Sequence, residues 1–412
     1  MKFITGFLLI GTLLGTCGKQ DDADHQPVID FTSDKKAAQL IQADNHFALD
    51  LFDEIFSLEE RENFMISPLS VAIALGMTYN GAAGETKSAF EETLRLSGFS
   101  KHEINKIHGE LIKHLLSVDP AITMEIANSI WLSHIFSLQQ EFADTNRYYY
   151  DAEINSLDFN DPGSVGIINN WVSENTQQKI PVILEEIPPM VAMYLINAIY
   201  YYGTWKFEFD EEDNMPIDFS YADGSAGEVA GMRQQEEFLY YSNDSLRIAE
   251  LPYGNDNYAM MILIPQPGYD VSDISAEMNI NNWSRWIKNL QKAELKIHMP
   301  KFKFEYSALL NDALKNLGLG IAFGDYADLS LMVEESADLF LSRVLHKTFV
   351  DVNEKGTEAA AVTAVEVSFT SVGPGDNVIP FIVDKPFLFA IREKTSNALV
   401  FMGKVGRPQY DN

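Results

Sequence analysis

Few side chains in this sequence stand at spacings that do chemistry, and the obvious candidates fail on geometry. His102, His108 and His114 recur every six residues. On a helix that step turns each ring about 240° from the last, so the three do not converge on a metal and read as surface histidines. Asp223-Gly224-Ser225-Ala226-Gly227 has the small residues of a nucleophile elbow but fails at its first position. There is no His-Glu-x-x-His zinc helix, no phosphate-binding Gly-Lys-Ser/Thr loop and no EF-hand. The single cysteine, Cys17, follows an apolar N-terminal run. It leaves no Cys–His nucleophile, disulfide framework or Cys-rich zinc site. These residues call for no metal and no cofactor, and they argue against an enzyme.

A different kind of chemistry is written between Glu354 and Ser371. Set as a strand from Thr357, the segment puts Thr357, Ala359, Ala361, Thr363, Val365, Val367 and Phe369 on one face. Glu358, Ala360, Val362, Ala364, Glu366 and Ser368 fall on the other. Large apolar groups share one side and both acids the other, which suits a sheet covered on one side and wet on the acidic side. Yet Ser371-Val372-Gly373-Pro374-Gly375-Asp376-Asn377 follows at once and reads as loop. Two readings stand: a permanent strand followed by a loop, or a loop able to become a strand.

The elements that must hold this segment are mixed. Leu40, Ile41, Phe47, Leu51 and Ile55 predict a helix over 38–56. Ser67 and Pro68 form a cap and first turn for a second helix through Met77. Ile104, Ile107, Leu111 and Leu115 stripe a third. Strands are predicted at Tyr258 to Ile264, Glu294 to Met299, and as a hairpin from Phe387 to Met402 around Thr395-Ser396-Asn397. Helices and strands without regular βα alternation predict an α+β fold. The 412 residues carry 60 acids against 30 Lys and Arg, a formal charge of −30. That excess excludes a general nucleic-acid binder. The hydrophobic share of 46% suits a globular chain. Residues 1–16 read as a secretory signal, because the apolar run from Phe3 to Leu14 is too short for a membrane span. Residues 17–36 read as a polar acidic tether and 37–412 as one domain, without repeats.

His346-Lys347-Thr348-Phe349-Val350-Asp351-Val352-Asn353-Glu354-Lys355-Gly356-Thr357-Glu358-Ala359-Ala360-Ala361 resembles the hinge of a serpin, a serine protease inhibitor. Asn63-Phe64-Met65-Ile66-Ser67-Pro68-Leu69-Ser70, Leu195 through Trp205, and Asp384-Lys385-Pro386-Phe387-Leu388-Phe389 resemble further stretches of the same family, so the likeness runs from about 38 to 408. It implies a mixed central sheet, additional sheets, surrounding helices and an exposed reactive loop over about 354–380. It also implies a trap. A protease attacks the loop, forms an acyl-enzyme, and is carried off as the cut loop enters the sheet. Loop insertion of this kind releases strain stored in the uncut fold. The hinge would be Glu354, Gly356, Thr357, Glu358, Ala359, Ala360 and Ala361. Small side chains there can slide between strands, with Thr357 entering first. Ser67, Ser70, Asn197 and His346 match a buried polar shutter beneath the sheet, and Trp205 matches the point of entry. The non-inhibitory carriers of the family, the alternative, typically bear bulky, charged or Pro residues in the hinge.

In inhibitory members the cut falls fourteen residues after the hinge glycine, which gives the bond between Thr370 and Ser371, with Phe369 as runner-up. Neither Lys nor Arg occurs between Lys355 and Lys385, so a trypsin-like pocket finds nothing. Thr370 suits elastase-like or subtilisin-like enzymes. Phe369 suits chymotrypsin-like ones and, one place before the bond, papain-like cysteine proteases. Glu103 and Glu110 dilute the basic residues of 101–113 and argue against heparin. Leu14-Gly15-Thr16-Cys17 resembles a lipobox, which implies a lipid on Cys17, and Gly18 rather than Asp after it implies, by the same resemblance, a bacterial outer membrane, periplasmic or surface-exposed; the chain is expected to be a monomer.

Overall fold

The computed structural model describes residues 29–334, 339–357 and 378–410. Cys17, Glu358 to Ala361, and Phe369 to Ser371 lie outside the described residues. The fold is α+β. Helix α1 (Lys35–Leu58) opens on Asp34, whose carboxylate accepts from the amides of Lys36 and Ala37 at 2.8 and 2.9 Å. Its expected stripe is buried, from Leu40 to Ile55. Phe31 is buried as well, with its ring 5.0 Å from that of His114. The domain therefore reaches into residues whose composition reads as tether.

Helix α2 (Pro68–Gly81) is buried on almost every side, which its unbroken apolar run from Val71 to Leu75 allows. Ser67 caps it, as its sequence predicts. Helix α3 (Gly84–Thr93) leads to α4 (Lys101–Ser117), which Ser100 and Glu103 start with a reciprocal capping box. Helices α5 (Gln140–Tyr150) and α6 (Gly163–Glu174) follow. The expectation of three surface histidines on α4 fails. His102 is exposed, but His108 is buried with Nε2 3.2 Å from the Asp44 carboxylate, and His114 lies 3.3 Å from buried Glu393. The face turned toward α1 and the sheet holds acids that give these rings partners inside, which a count of spacings along α4 alone does not show.

The strands in chain order are β1 (Asn63–Ile66), β2 (Ile122–Ser133), β3 (Glu153–Leu157), β4 (Met193–Thr204), β5 (Ile217–Ser220), β6 (Ala226–Val229), β7 (Gly231–Ser242), β8 (Leu246–Tyr253), β9 (Tyr258–Pro265), β10 (Gln291–Pro300), β11 (Phe302–Leu309), β12 (Arg343–Asn353), β13 (Gly356–Thr357), β14 (Ile379–Ile382), β15 (Phe387–Glu393) and β16 (Leu399–Val405). Eight of them order as β1-β16-β15-β9-β8-β7-β10-β14. A second sheet orders as β11-β12-β13-β4-β2-β3, and β5 and β6 form a small hairpin. The main core lies where α1, α2 and the eight-stranded sheet meet the inner face of the second sheet. A smaller core covers its outer face: Ile168 and Val172 of α6, with Ile180 and Leu184, pack on Tyr194, Ile196, Ala198 and Leu345. That part of the outer face is dry, contrary to the expectation that the acidic side of an added strand stays wet.

Candidate functional site

The six-stranded sheet is closed at one end and split at the other. From Arg343↔Tyr194 to Thr348↔Ile199, β12 and β4 run parallel and pair directly. Toward Asn353 they part, and β13 fills the gap. Gly356 lies opposite Thr204 and Asn353, and Thr357 opposite Gly203 and Val352, antiparallel to both neighbours. The sequence reading has Thr357 entering the sheet upon cleavage; in the intact chain it is already there. It is 2% exposed, and its hydroxyl shares a 2.6 Å hydrogen bond with the hydroxyl of Tyr253. Gly356 is the one residue type that fits its place. Its φ is +152°, and a Cβ would overlap the carbonyl oxygen of Gly203 and stand 2.7 Å from the Cα of Thr204.

The turn feeding β13 is clamped from several sides. Trp205 stacks on Tyr253 with ring centroids 4.3 Å apart. Its indole N–H donates to the Asn353 carbonyl at 2.9 Å, and its amide donates to the Lys355 carbonyl at 2.8 Å. The amide of Phe209 donates to the Glu354 carbonyl at 2.9 Å. The Glu354 carboxylate meets Lys301 Nζ at 2.8 Å and accepts from the Asn214 amide. Burial pushes this carboxyl up, but the bonds from Lys301 and Asn214 and the lysine charge hold it below its usual value. Trp205, Glu354, Gly356 and Thr357 thus form one cluster at the split end.

Ser67, Ser70, Asn197 and His346 form a second cluster, under the closed seam. His346 and Asn197 are opposed in register, and His346 Nδ1 donates to Asn197 Oδ1 at 2.7 Å. Nε2 accepts from the Ser67 amide at 3.0 Å, which sets the neutral tautomer. Burial pushes the His346 pKa down to about 3, against an opposing pull from its bond to Asn197. Ser67 Oγ donates to the Val400 carbonyl at 2.7 Å, tying the cluster to β16. The Asn197 amide donates to Ser70 Oγ and, at 2.7 Å, to Asn128 Oδ1. The bond across the seam joins side chains of two directly paired strands, and a polar network of this kind can exchange partners where an apolar seam can only repack.

Sequence reasoning missed Asn128, Tyr253 and Lys301. Asn128 carried a signal, a polar residue amid the apolar run of β2; Tyr253 and Lys301 carried none. Among the described residues, no group of three or more His, Cys, Asp and Glu could hold a metal ion, and no helix is long and apolar enough to cross a membrane. β13 occupies the split end of the sheet, and the His346–Asn197 bond lies in its paired end.

A sequence model of the family described as Serpin (serine protease inhibitor) matches residues 42–408. The leukocyte elastase inhibitor of Homo sapiens is 33% identical over 383 residues, covering 90% of this chain and 100% of its own. Human antithrombin-III is 29% identical, over 94% of this chain and 86% of its own. Among solved structures, the thermophilic serpin tengpin in the native state aligns with a TM-score of 0.83 at 32% identity, over 90% of this chain and 94% of that one. With the split sheet, the wedged hinge and the polar seam in place, this chain belongs to the serpin family, the serine protease inhibitors.

Proposed function

We propose that this chain inhibits proteases by conformational trapping. The observation that carries the reading is β13, a two-residue strand held in register between β12 and β4 at the mouth of a seam. A strand that extends β13 keeps step with both neighbours, so Thr363 arrives between Asn197 and His346. The threonine hydroxyl can donate and accept, and it takes up the partners that those two side chains lose when the seam opens. Each added residue gains main-chain bonds on two sides, against the single ladder surrendered from Arg343 to Thr348. Fourteen residues, Thr357 to Thr370, extended span about 46 Å, enough to carry an acylated protease to the far end of the sheet.

Thr370–Ser371 is the bait bond of this reading, with cleavage after Phe369 as the runner-up. Missing cations around the bond exclude a trypsin-like target. Likeness to the leukocyte elastase inhibitors supports an elastase-like or subtilisin-like one. A lipid on Cys17 would hold the inhibitor at a bacterial outer membrane; the lipobox-like sequence supports the lipid, and Cys17→Ser should release the protein from the membrane fraction.

Incubation with subtilisin or pancreatic elastase should give a complex that survives boiling in detergent, and mass spectrometry of the released C-terminal peptide should begin at Ser371. Clean cleavage with full protease activity retained would reject inhibition and leave the second member of the family pattern, a static binding protein.

A further inference from the structure

Two polar atoms on the outer face of the split sheet have no partner. Tyr194 on β4 and Arg343 on β12 oppose each other in register. Tyr194 is fully buried, edge-on to Phe159 at 5.6 Å, in the small core beneath α6. Its hydroxyl makes no hydrogen bond, and neither does Arg343 Nε, although both atoms are shut away from water. Folded chains rarely leave such donors unpaired. Burial raises the Tyr194 pKa to about 12, while the Arg343 charge lowers it and that of exposed Glu186 raises it. Glu186 makes no bond to either atom.

We propose that Tyr194 and Arg343 are a receptor for the carboxylate of Glu366, filled when the reactive segment enters the sheet. The register assigns the occupant. Thr357 stands opposite Gly203 on β4 and Val352 on β12. Each further residue steps one place along both strands, so nine places on Glu366 meets Tyr194 and Arg343 together. Thr357 points inward to Tyr253, and a residue an odd number of places later points outward, the side on which Tyr194 packs. Directly opposed side chains on one face lie close enough to bond. The carboxylate is drawn under α6, where an unpaired charge would be expelled. Paired with a guanidinium and a phenol it is held, and it holds the distal end of the new strand. Glu366 and Arg343 are positioning residues in this scheme, acting on strand insertion rather than on the attacked bond. The inference rests on the trapping reading.

Its test uses the intact, uncleaved full chain and two synthetic peptides spanning Glu358–Thr370, the places beyond the chain's own Thr357, one natural and one carrying E366Q. The natural peptide should anneal into the sheet and raise the melting temperature. The E366Q peptide should dissociate about tenfold faster, the effect of one charge-assisted hydrogen bond. Tyr194→Phe should leave the melting of the peptide-free chain unchanged or raised, while speeding release of the natural peptide. Arg343→Met should abolish the difference between the peptides, which a merely structural role would not do. Equal dissociation of both peptides from the natural chain would overturn the receptor and leave trapping intact. Failure of both peptides to anneal or raise the melting temperature would overturn trapping and the receptor with it.

Discussion

His346 is the residue on which the seam turns. It gives one ring nitrogen to Asn197 and offers the other to the Ser67 amide, so it has no place for a second proton. Its pKa in the fold is about 3, whereas an unfolded histidine titrates near 6.5. As pH falls through 6.5 the unfolded chain takes up a proton that the native chain refuses. Stability conferred by the neutral ring is therefore full above pH 6.5 and declines toward about pH 3. Melting curves of the uncleaved protein at intervals from pH 7 to pH 5 should show this decline, and His346→Gln should flatten it. Thr357→Arg should convert inhibitor to substrate, because a cation would have to occupy the buried position beside Tyr253. Titration of elastase activity would check it; unaltered one-to-one inhibition would refute insertion. Part of this site was legible in the sequence: the resemblance named Ser67, Ser70, Asn197 and His346, and these four lie together. Asn128 and Tyr253 stand outside the stretches that carry the resemblance, and Asn128 had only its polarity within an apolar run to mark it.

At the scale of elements, β13 works because two backbones nearly touch. Gly356 lies against Gly203, and a side chain at 356 has no room. Gly356→Val should expel β13 and cost about 1–3 kcal/mol of native stability. Hydrogen exchange at the amides of Gly203 and Thr204 should speed up in that variant while the rest of β4 stays protected. Periodicity revealed α1 and α4, since each buries one face against the core, whereas the C-terminal hairpin showed in its turn and flanking apolar runs, and its strands are buried on both faces. It could not reveal that β13 already sits between β12 and β4. That fact depends on the register of three strands distant in sequence, and a shift of one residue would leave the composition unchanged while turning every side chain over. For the same reason the outer face read as wet. Ile168 and Val172 lie on a helix whose packing partner is a sheet assembled later in the chain.

For the whole molecule, the proposed trapping makes the intact fold a stalled one: a sheet opened at one end and paired at the other would reach a lower state once the segment after Thr357 is cut. Nicking by subtilisin should raise the melting temperature by about 10 °C or more; equal melting before and after would contradict a metastable native form. With 60 acids against 30 basic residues, association should be fastest with cationic proteases and should slow as salt rises. Stopped-flow association rates at two ionic strengths would check this. The lid formed by α6 adds a clock. It packs on both strands that insertion would separate, so in the proposed trap it would have to lift before the new strand can pass and settle again afterward. Under the proposed trapping, an acyl-enzyme would be hydrolysing meanwhile, so each encounter would be a race between helix and water, and the packing of Ile168 and Val172 would set how many molecules are consumed for every protease silenced.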